Sequence, residues 1–552
     1  MAEPTAYLDN EKKNPSYIDG PTHANNGGHA REYESMDAEF DEVKLVKQGL
    51  HQRHIQMIAL AGTIGTGLFL GSGRAIANAG PLGAFLGYTV IGLTVCSVVL
   101  AVGEMGALVP LSGAIIRFPG FFVDPALAFA NGWNMTYSSA VSIPSEIVAA
   151  AVLMQFWVDT NSGVWITVFS VLVIATLLVF VRVFGELEFG FCLLKIFLVI
   201  FINLLALVIT TGGGPNGQSI GFRYWRDPGP FNQYLDIPGS TGRFLGFWSC
   251  LNSAIYAYAG VQVIVCAAAE TRSPRQSIPM AAKRIFWRVL IFYLLTIFMV
   301  GLVVPSNDKN LLQKTGTASQ SPFVIAAHRA GIKFVPSFIN AIILTSAWSA
   351  ANSSLMSASR VLYGLANAGQ APAVLKRLNR FRIPYVAVGS LAVFMALGYM
   401  TLSDSASTVF TWLQDLVAIA SLVDWIIVLI TYLRFYYGCK AQSIDRKQEL
   451  PWAAPFQPWL SWISLGMFLL LLLTSGFKTF IHGHWDTETF ISAYFNIPFV
   501  LVLYFGYKFW FKTKIIPLKD IPIRGFIDVA NDHPEPIIPK ATGWRRLNIL
   551  WS

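Results

Sequence analysis

The sequence predicts an all-α polytopic membrane protein of about twelve transmembrane helices, built as two five-helix halves in an inverted repeat, each half opening with a broken helix. Three observations lead there. The chain of 552 residues is 54% hydrophobic and only 13% charged, with a mean hydropathy of +0.52. Its apolar stretches recur at roughly the 20-residue length that a bilayer requires. Two of them, the first and the sixth, are interrupted by glycine at corresponding places.

The first span, roughly Ile55 to Gly73, contains Gly62 Thr63 Ile64 Gly65 Thr66 Gly67 at its middle. In hydrocarbon every backbone N–H and C=O needs a partner, so an unwound stretch persists only where it lines a cavity or is buried in protein. The N–H groups freed at Gly65, Thr66 and Gly67 would cradle an anion such as a carboxylate. Close helix packing through the same glycines is the competing explanation. The sixth span carries Ala257 Tyr258 Ala259 Gly260 Val261 Gln262, and paired breaks in two halves point to a transporter. No letter-by-letter repeat accompanies them, so the symmetry rests on span count and break position.

In order, the spans centre near Gly65, Thr94, Val141, Leu172, Phe201, Tyr256, Thr296, Ser349, Ala392, Ala420, Met467 and Leu501. Basic residues set the orientation. With the N-terminus inside, the inner segments hold Lys44, Lys47 and Arg53, then Arg272, Arg275 and Lys283, then Lys376, Arg377 and Arg380, then Arg434, Lys440 and Arg446. The outer loops are poorer, although they keep Arg223, Arg226, Lys309 and Lys314. Both termini are therefore expected in the cytoplasm. The net charge of +9 reflects this bias, and no nucleic-acid partner is expected. The chain divides into a disordered cytoplasmic tail (1–53), a transmembrane domain (54–511) and a cytoplasmic C-terminal tail (512–552), the last punctuated by proline. The first 50 residues are polar rather than a cleavable signal, so the first span should insert itself. Lys12 and Lys13 are solvated surface lysines or, alternatively, ubiquitin acceptors that would make ubiquitin-ligase adaptors partners of the tail.

Polar groups inside the membrane are costly, about 2.5 to 3.5 kcal/mol for an ion at a helix centre. Span three places Asn134, Ser138, Ser142, Ser145 and Glu146 on one helical face beside Pro144. Hydrogen-bonded packing accounts for the serines, with Ser142 also a candidate substrate contact, whereas Glu146 points to function. Span five holds Glu186, Glu188 and, two turns deeper, Lys195. Lys195 either exchanges a proton during a transport cycle or is a fixed charge bracing the unwound first helix. Glu104 in span two is a third buried carboxylate, for proton coupling or for a structural ion pair. Span eight shows a polar face through Thr345, Ser349, Asn352, Ser353 and Arg360. In span ten Asp415 and Asp424 lie on opposite faces, so one at most faces a pathway, and Asp415 is the choice.

Cys96, Cys192, Cys250 and Cys266 lie within spans and Cys439 just inside, which gives no extracellular disulfide framework. His482 and His484 stand near Asp486 and Glu488, either as a solvated outer loop or as a metal site of a membrane enzyme. The solvated loop is preferred, and neither an enzymatic activity nor a cofactor is expected.

The run from Arg53 His54 Ile55 Gln56 Met57 Ile58 Ala59 Leu60 to Gly65 Thr66 Gly67 Leu68 Phe69 resembles the start of the fungal amino-acid permeases, the yeast amino-acid transporter family of the amino acid–polyamine–organocation superfamily. The same order continues with Gly103 Glu104 Met105, Gly132 Trp133 Asn134, Gly185 Glu186, Glu188 Phe189, Lys195, Ala269 Glu270 Thr271 and Ser349 Ala350 Ala351 Asn352 Ser353 Ser354, ending at Ser359 Arg360 Val361 Leu362. The resemblance implies a LeuT-like fold and import of amino acids at the plasma membrane, driven by protons. It further implies that Ile64, Gly65, Thr66 and Gly67 hold the substrate carboxylate, that carbonyls near Tyr256, Ala257 and Ala259 take the ammonium, that Tyr256 gates the site, and that Lys195 senses protons. Two departures stand out. Gln262 replaces a frequent glutamate, and the chain ends Ile549 Leu550 Trp551 Ser552 without a terminal Phe-Trp-Cys. Trp133 Asn134 with Tyr137, Pro144 and Glu146 Ile147 is similar to the dicarboxylic amino-acid permease branch, which points to acidic or broad neutral substrates. A non-transporting sensor and a proton-independent amino-acid exchanger are the alternatives; the tail of about 50 residues is short for a sensor.

Overall fold

The computed structural model describes residues 65–532 and 534–535, apart from 112, 159, 180, 216, 262–272, 313–320 and 380–382. All of them lie within one compact unit, 48–552. The N-terminal tail, Ile64, Gln262 and Cys266 fall outside the described residues.

Helix α1 (Thr66–Phe69) begins directly after Gly65, which is extended (φ −114°, ψ −162°) and lends no side-chain cap. It runs through Leu70, whose N–H bonds the Thr66 carbonyl at 2.8 Å, into α2 (Gly71–Leu108). Helix α2 is in fact two helices joined at Gly80 (φ 76°, ψ 171°), where a Cβ would lie 2.7 Å from the Pro230 carbonyl oxygen. Only glycine fits that turn, and Pro81 starts the next helix with its preset φ. The first span therefore runs on to Ala79, beyond the expected end near Gly73. Its apolar run stops at Arg74, but the helix does not, because Arg74 finds a carboxylate partner.

After α3 (Ala114–Phe122), helix α4 (Pro125–Met154) starts where Asp124 accepts from the Ala126 N–H at 2.9 Å and Pro125 occupies the first turn. The first half closes with α5 (Ser162–Val179) and α6 (Val181–Thr211). The second half comprises α7 (Gly239–Tyr258), α8 (Pro274–Val303), α9 (Pro322–Arg329), α10 (Val335–Asn367), α11 (Tyr385–Ala392, continued by a 3-10 segment Val393–Leu402) and α12 (Ala406–Ala441). Then follow α13 (Trp459–Thr474), α14 (Thr487–Tyr494), α15 (Asn496–Phe511) and α16 (Ile523–Asp532). Every expected span centre falls within a helical element except Gly65, which caps the first. Among the described residues, six helices are long and apolar enough to cross a membrane, and three shorter ones are apolar. Helices α7 and α10 miss that test through their serines, threonines and asparagines, as expected of helices that line a path.

The repeat that the letters hide is visible in the short helices. Both α3 and α9 sit between the second and third spans of their halves. In the second half Ile325 and Ala326 of α9, with Ala330 just beyond it, share one buried cluster with Ala206 and Ile209 at the end of α6. In the first, Phe122 at the end of α3 packs its ring 5.2 Å from that of Phe435 near the end of α12. Each short helix thus closes the fifth span of the opposite half, as inverted repeats require.

Packing sorts the spans into two groups, α2 with α7 and α8, and α4 with α10 and α12. The first group closes through glycine: a Cβ at Gly246 of α7 would stand 2.5 Å from the Asn78 carbonyl oxygen and 3.1 Å from that of Asn232. Gly246→Ala is therefore expected to destabilise the fold by about 1–3 kcal/mol. Thermal unfolding in detergent checks this, and an unchanged midpoint would mean that the helices do not approach so closely.

Beyond α15 the chain reverses at Lys512 (φ 51°) and returns along the end of the bundle that carries α3. The Ile516 N–H bonds the Val123 carbonyl at 2.9 Å, and Arg434 of α12 donates to the carbonyls of Phe122 and Ile516. Gln442 holds the Ile521 carbonyl at 2.7 Å. Phe526 of α16 is buried, edge-on to Phe121 at 5.6 Å.

Candidate functional site

Where the first break meets α4 and α7, one carboxylate joins all three. The Thr66 hydroxyl donates to Glu146 Oε2 at 3.0 Å, and the Tyr256 hydroxyl donates to Oε1 at 3.2 Å. Ser145 lies 3.2 Å from the same tyrosine oxygen. Thr66, Ser145, Glu146 and Tyr256 are all buried. The glycines let these parts approach, since a Cβ on Gly67 would lie 2.9 Å from the Tyr256 ring and 3.0 Å from Ala257 Cα. Phe410 of α12 meets the Tyr256 ring edge-on at 6.5 Å.

The second break is equally plain. Helix α7 ends at Tyr258, Ala259 is its cap, and Gly260 takes a φ of 81° that a side chain would strain. Tyr256 and Ala257 themselves are still helical. The Ala257 carbonyl accepts from the Tyr293 hydroxyl at 2.9 Å, and a carbonyl oxygen carries a second lone pair.

Lys195, almost wholly buried, donates to Ser349 of α10 at 3.1 Å. The Ser349 hydroxyl lies 2.9 Å from both oxygens of Glu188, and Ser353 donates to Glu188 Oε1 at 3.0 Å. The polar face of span eight thus seats an ammonium–carboxylate pair from span five. Lys195 is also within electrostatic reach of Glu146.

Other candidate residues sit elsewhere. Ser142 pairs with Ser354 at 3.2 Å, and the residue of its helix that reaches Tyr256 is Ser145, one turn on. Glu104 accepts from Arg446 at 2.7 and 2.6 Å, from Tyr432 at 2.6 Å and from the Ala454 N–H at 2.9 Å, and shares none of these partners with Glu146 or Lys195. Asn134 serves packing, bonding the Ala420 carbonyl at 3.0 Å and Asn496 at 2.9 Å. Asp415 binds both terminal nitrogens of Arg74, at 3.0 and 3.3 Å. Hydropathy does not mark that arginine, which stands one residue past the apolar run of the first span. Its signal was there, seven residues after Gly67 and so on the same helix face. Asp486 is held by Thr489 and lies 3.9 Å from Lys478; among the described residues no group of three His, Cys, Asp or Glu side chains is placed to hold a metal.

A buried carboxylate that joins the first glycine break to the helix ending in the second, inside two packed halves, is the anatomy of a transporter. The profile of the amino acid permease family matches residues 54–519. The chain belongs to that family. This permease is 36% identical over 502 residues to a dicarboxylic amino acid permease of Saccharomyces cerevisiae, a match covering 90% of this chain and 82% of that one. It is 37% identical over 486 residues to a proline-specific permease of Emericella nidulans, covering 87% and 88% of the two chains. Among solved structures, a mutant of the Eremococcus coleocola manganese transporter superposes with a TM-score of 0.57 at 13% identity, over 86% of this chain and 94% of the other. That likeness gives the permease its LeuT-like fold, a multi-pass membrane protein of transporter architecture.

Proposed function

We propose that this permease imports L-amino acids across the plasma membrane by proton symport, through alternating access, with both termini in the cytoplasm. The observation that carries the reading is Glu146, bonded at once to the first break through Thr66 and to the neighbour of the second through Tyr256. A carboxylate so placed gains or loses a proton in step with movement of the two breaks, which is the coupling that a symporter needs. The amino-acid substrates named for the relatives support the substrate class. The basic segments at the α3 end support its cytoplasmic placement.

In this reading the N–H groups of Gly65, Thr66 and Gly67, with Ile64 before them, bind the substrate carboxylate at the positive end of α1. Carbonyl oxygens at Tyr256, Ala257 and Ala259 take the ammonium, and the Tyr256 ring covers both. Ser145 joins that wall, with Ser142 behind it. Lys195 and Glu188 form the second proton-linked pair, and Glu104 holds the fold. Uptake of labelled amino acids into cells lacking their own permeases, at acidic pH, is expected to saturate and to collapse with a protonophore. Uptake that survives the protonophore would establish exchange. A surface-located protein that takes up nothing would be a sensor.

A further inference from the structure

One face of the helix rising from the first break makes three contacts in succession. Gly67 faces the Tyr256 ring, a Cβ on Gly71 would stand 3.4 Å from Gln414 Nε2, and Arg74 binds Asp415. Positions 67, 71 and 74 are four and three residues apart and share that face. Gln414 is only 5% exposed, and its Nε2 has no hydrogen-bond partner. A buried donor without an acceptor is destabilising, and a ligand oxygen placed there would relieve it. Phe410, one turn earlier on α12, touches Tyr256, so the amide belongs to the wall that faces the break.

We infer that Gln414 recognises the substrate side chain, and that the preferred substrates are amino acids whose side chain ends in a carboxylate or carboxamide oxygen. The inference rests on the α-carboxylate being held at Gly65, Thr66 and Gly67 as proposed above. From Gly67 to Gly71 the helix rises about 6 Å. The two carboxyl carbons of aspartate or glutamate, three or four bonds apart, span about 4 to 5 Å, and the terminal oxygen extends beyond, to hydrogen-bonding distance of the amide. Glycine at position 71 leaves the room that oxygen needs. Alanine is too short to satisfy Nε2, and leucine would bury it against carbon. One turn further, Arg74 and Asp415 cancel in charge and so do not repel an anionic side chain, while the guanidinium keeps donors beyond the two it gives Asp415.

The test compares uptake of labelled aspartate, asparagine, alanine and leucine by wild type, Gln414→Leu and Gln414→Glu in cells lacking their own permeases. Wild type is expected to favour aspartate and asparagine over alanine and leucine in kcat/KM by about tenfold or more, a ratio that Gln414→Leu removes. Gln414→Glu is expected to reject aspartate and keep asparagine, whose amide can donate to the new carboxylate. A wild type without that preference, an unchanged ratio in Gln414→Leu, or equal loss for all four substrates would overturn the inference and leave the import reading standing. Uptake of no amino acid at all would overturn both.

Discussion

Glu146→Gln is expected to lower proton-driven accumulation by about 100-fold or more, while exchange of labelled for unlabelled substrate across the membrane persists. Glutamine keeps the size of the side chain and an oxygen that can accept from Thr66 or Tyr256, but it carries no exchangeable charge. The variant thus separates holding the two breaks from coupling them to protons. Glu146→Ala removes both functions and is expected to lose exchange as well, since Thr66 and Tyr256 would be left as buried hydroxyls without their shared acceptor. Counterflow and gradient-driven uptake measured on the same membranes check the distinction. A glutamine variant that still concentrates substrate would remove Glu146 from the coupling mechanism.

Arg446→Ala is expected to be the most damaging substitution for stability, at about 3–5 kcal/mol. It strands Glu104, whose side chain is fully buried and which would keep only the Tyr432 hydroxyl and the Ala454 N–H. The lost guanidinium also packs over the Tyr436 ring at 4.5 Å. Removing the charge on both sides, with Glu104→Gln added, is expected to recover much of the loss, because the penalty comes from an unpaired ion more than from a missing bond. Thermal midpoints of the two variants in detergent decide this. Equal midpoints for wild type and Arg446→Ala would show that Glu104 does not depend on its partner.

The two breaks were legible because glycine and threonine have no business in the middle of an apolar run unless backbone is exposed there, and Glu146 and Lys195 because charge in hydrocarbon is expensive. Their assembly was not legible. Nothing in the order of residues says that Thr66 and Tyr256 bond the same carboxylate, or that Ser349 bridges Lys195 and Glu188, since these meetings depend on how helices pack across the two halves. Arg74 is hidden because hydropathy ends a span at the first charged residue. Gln414 carried no signal, being one amide among many until its environment was seen. The short helices α3 and α9 are too brief and too apolar to be told from span ends, yet they reveal the inverted symmetry that the letters had lost.

The returning segment after α15 changes what a shortened chain would mean. Its main chain takes the place of solvent at the ends of α3 and α12, satisfying the Val123 carbonyl through the Ile516 N–H and occupying the donors of Arg434 and Gln442. Further on, Arg275 at the start of α8 bonds the Ala530 carbonyl at 3.2 Å and the Glu535 carboxylate at 3.1 Å. A stop codon ahead of Ile516 would therefore strip a wall from the building rather than a flag from its roof. Defects in delivery or turnover seen in such truncated alleles would have to be separated from plain loss of fold before any residue past α15 could be credited with signalling.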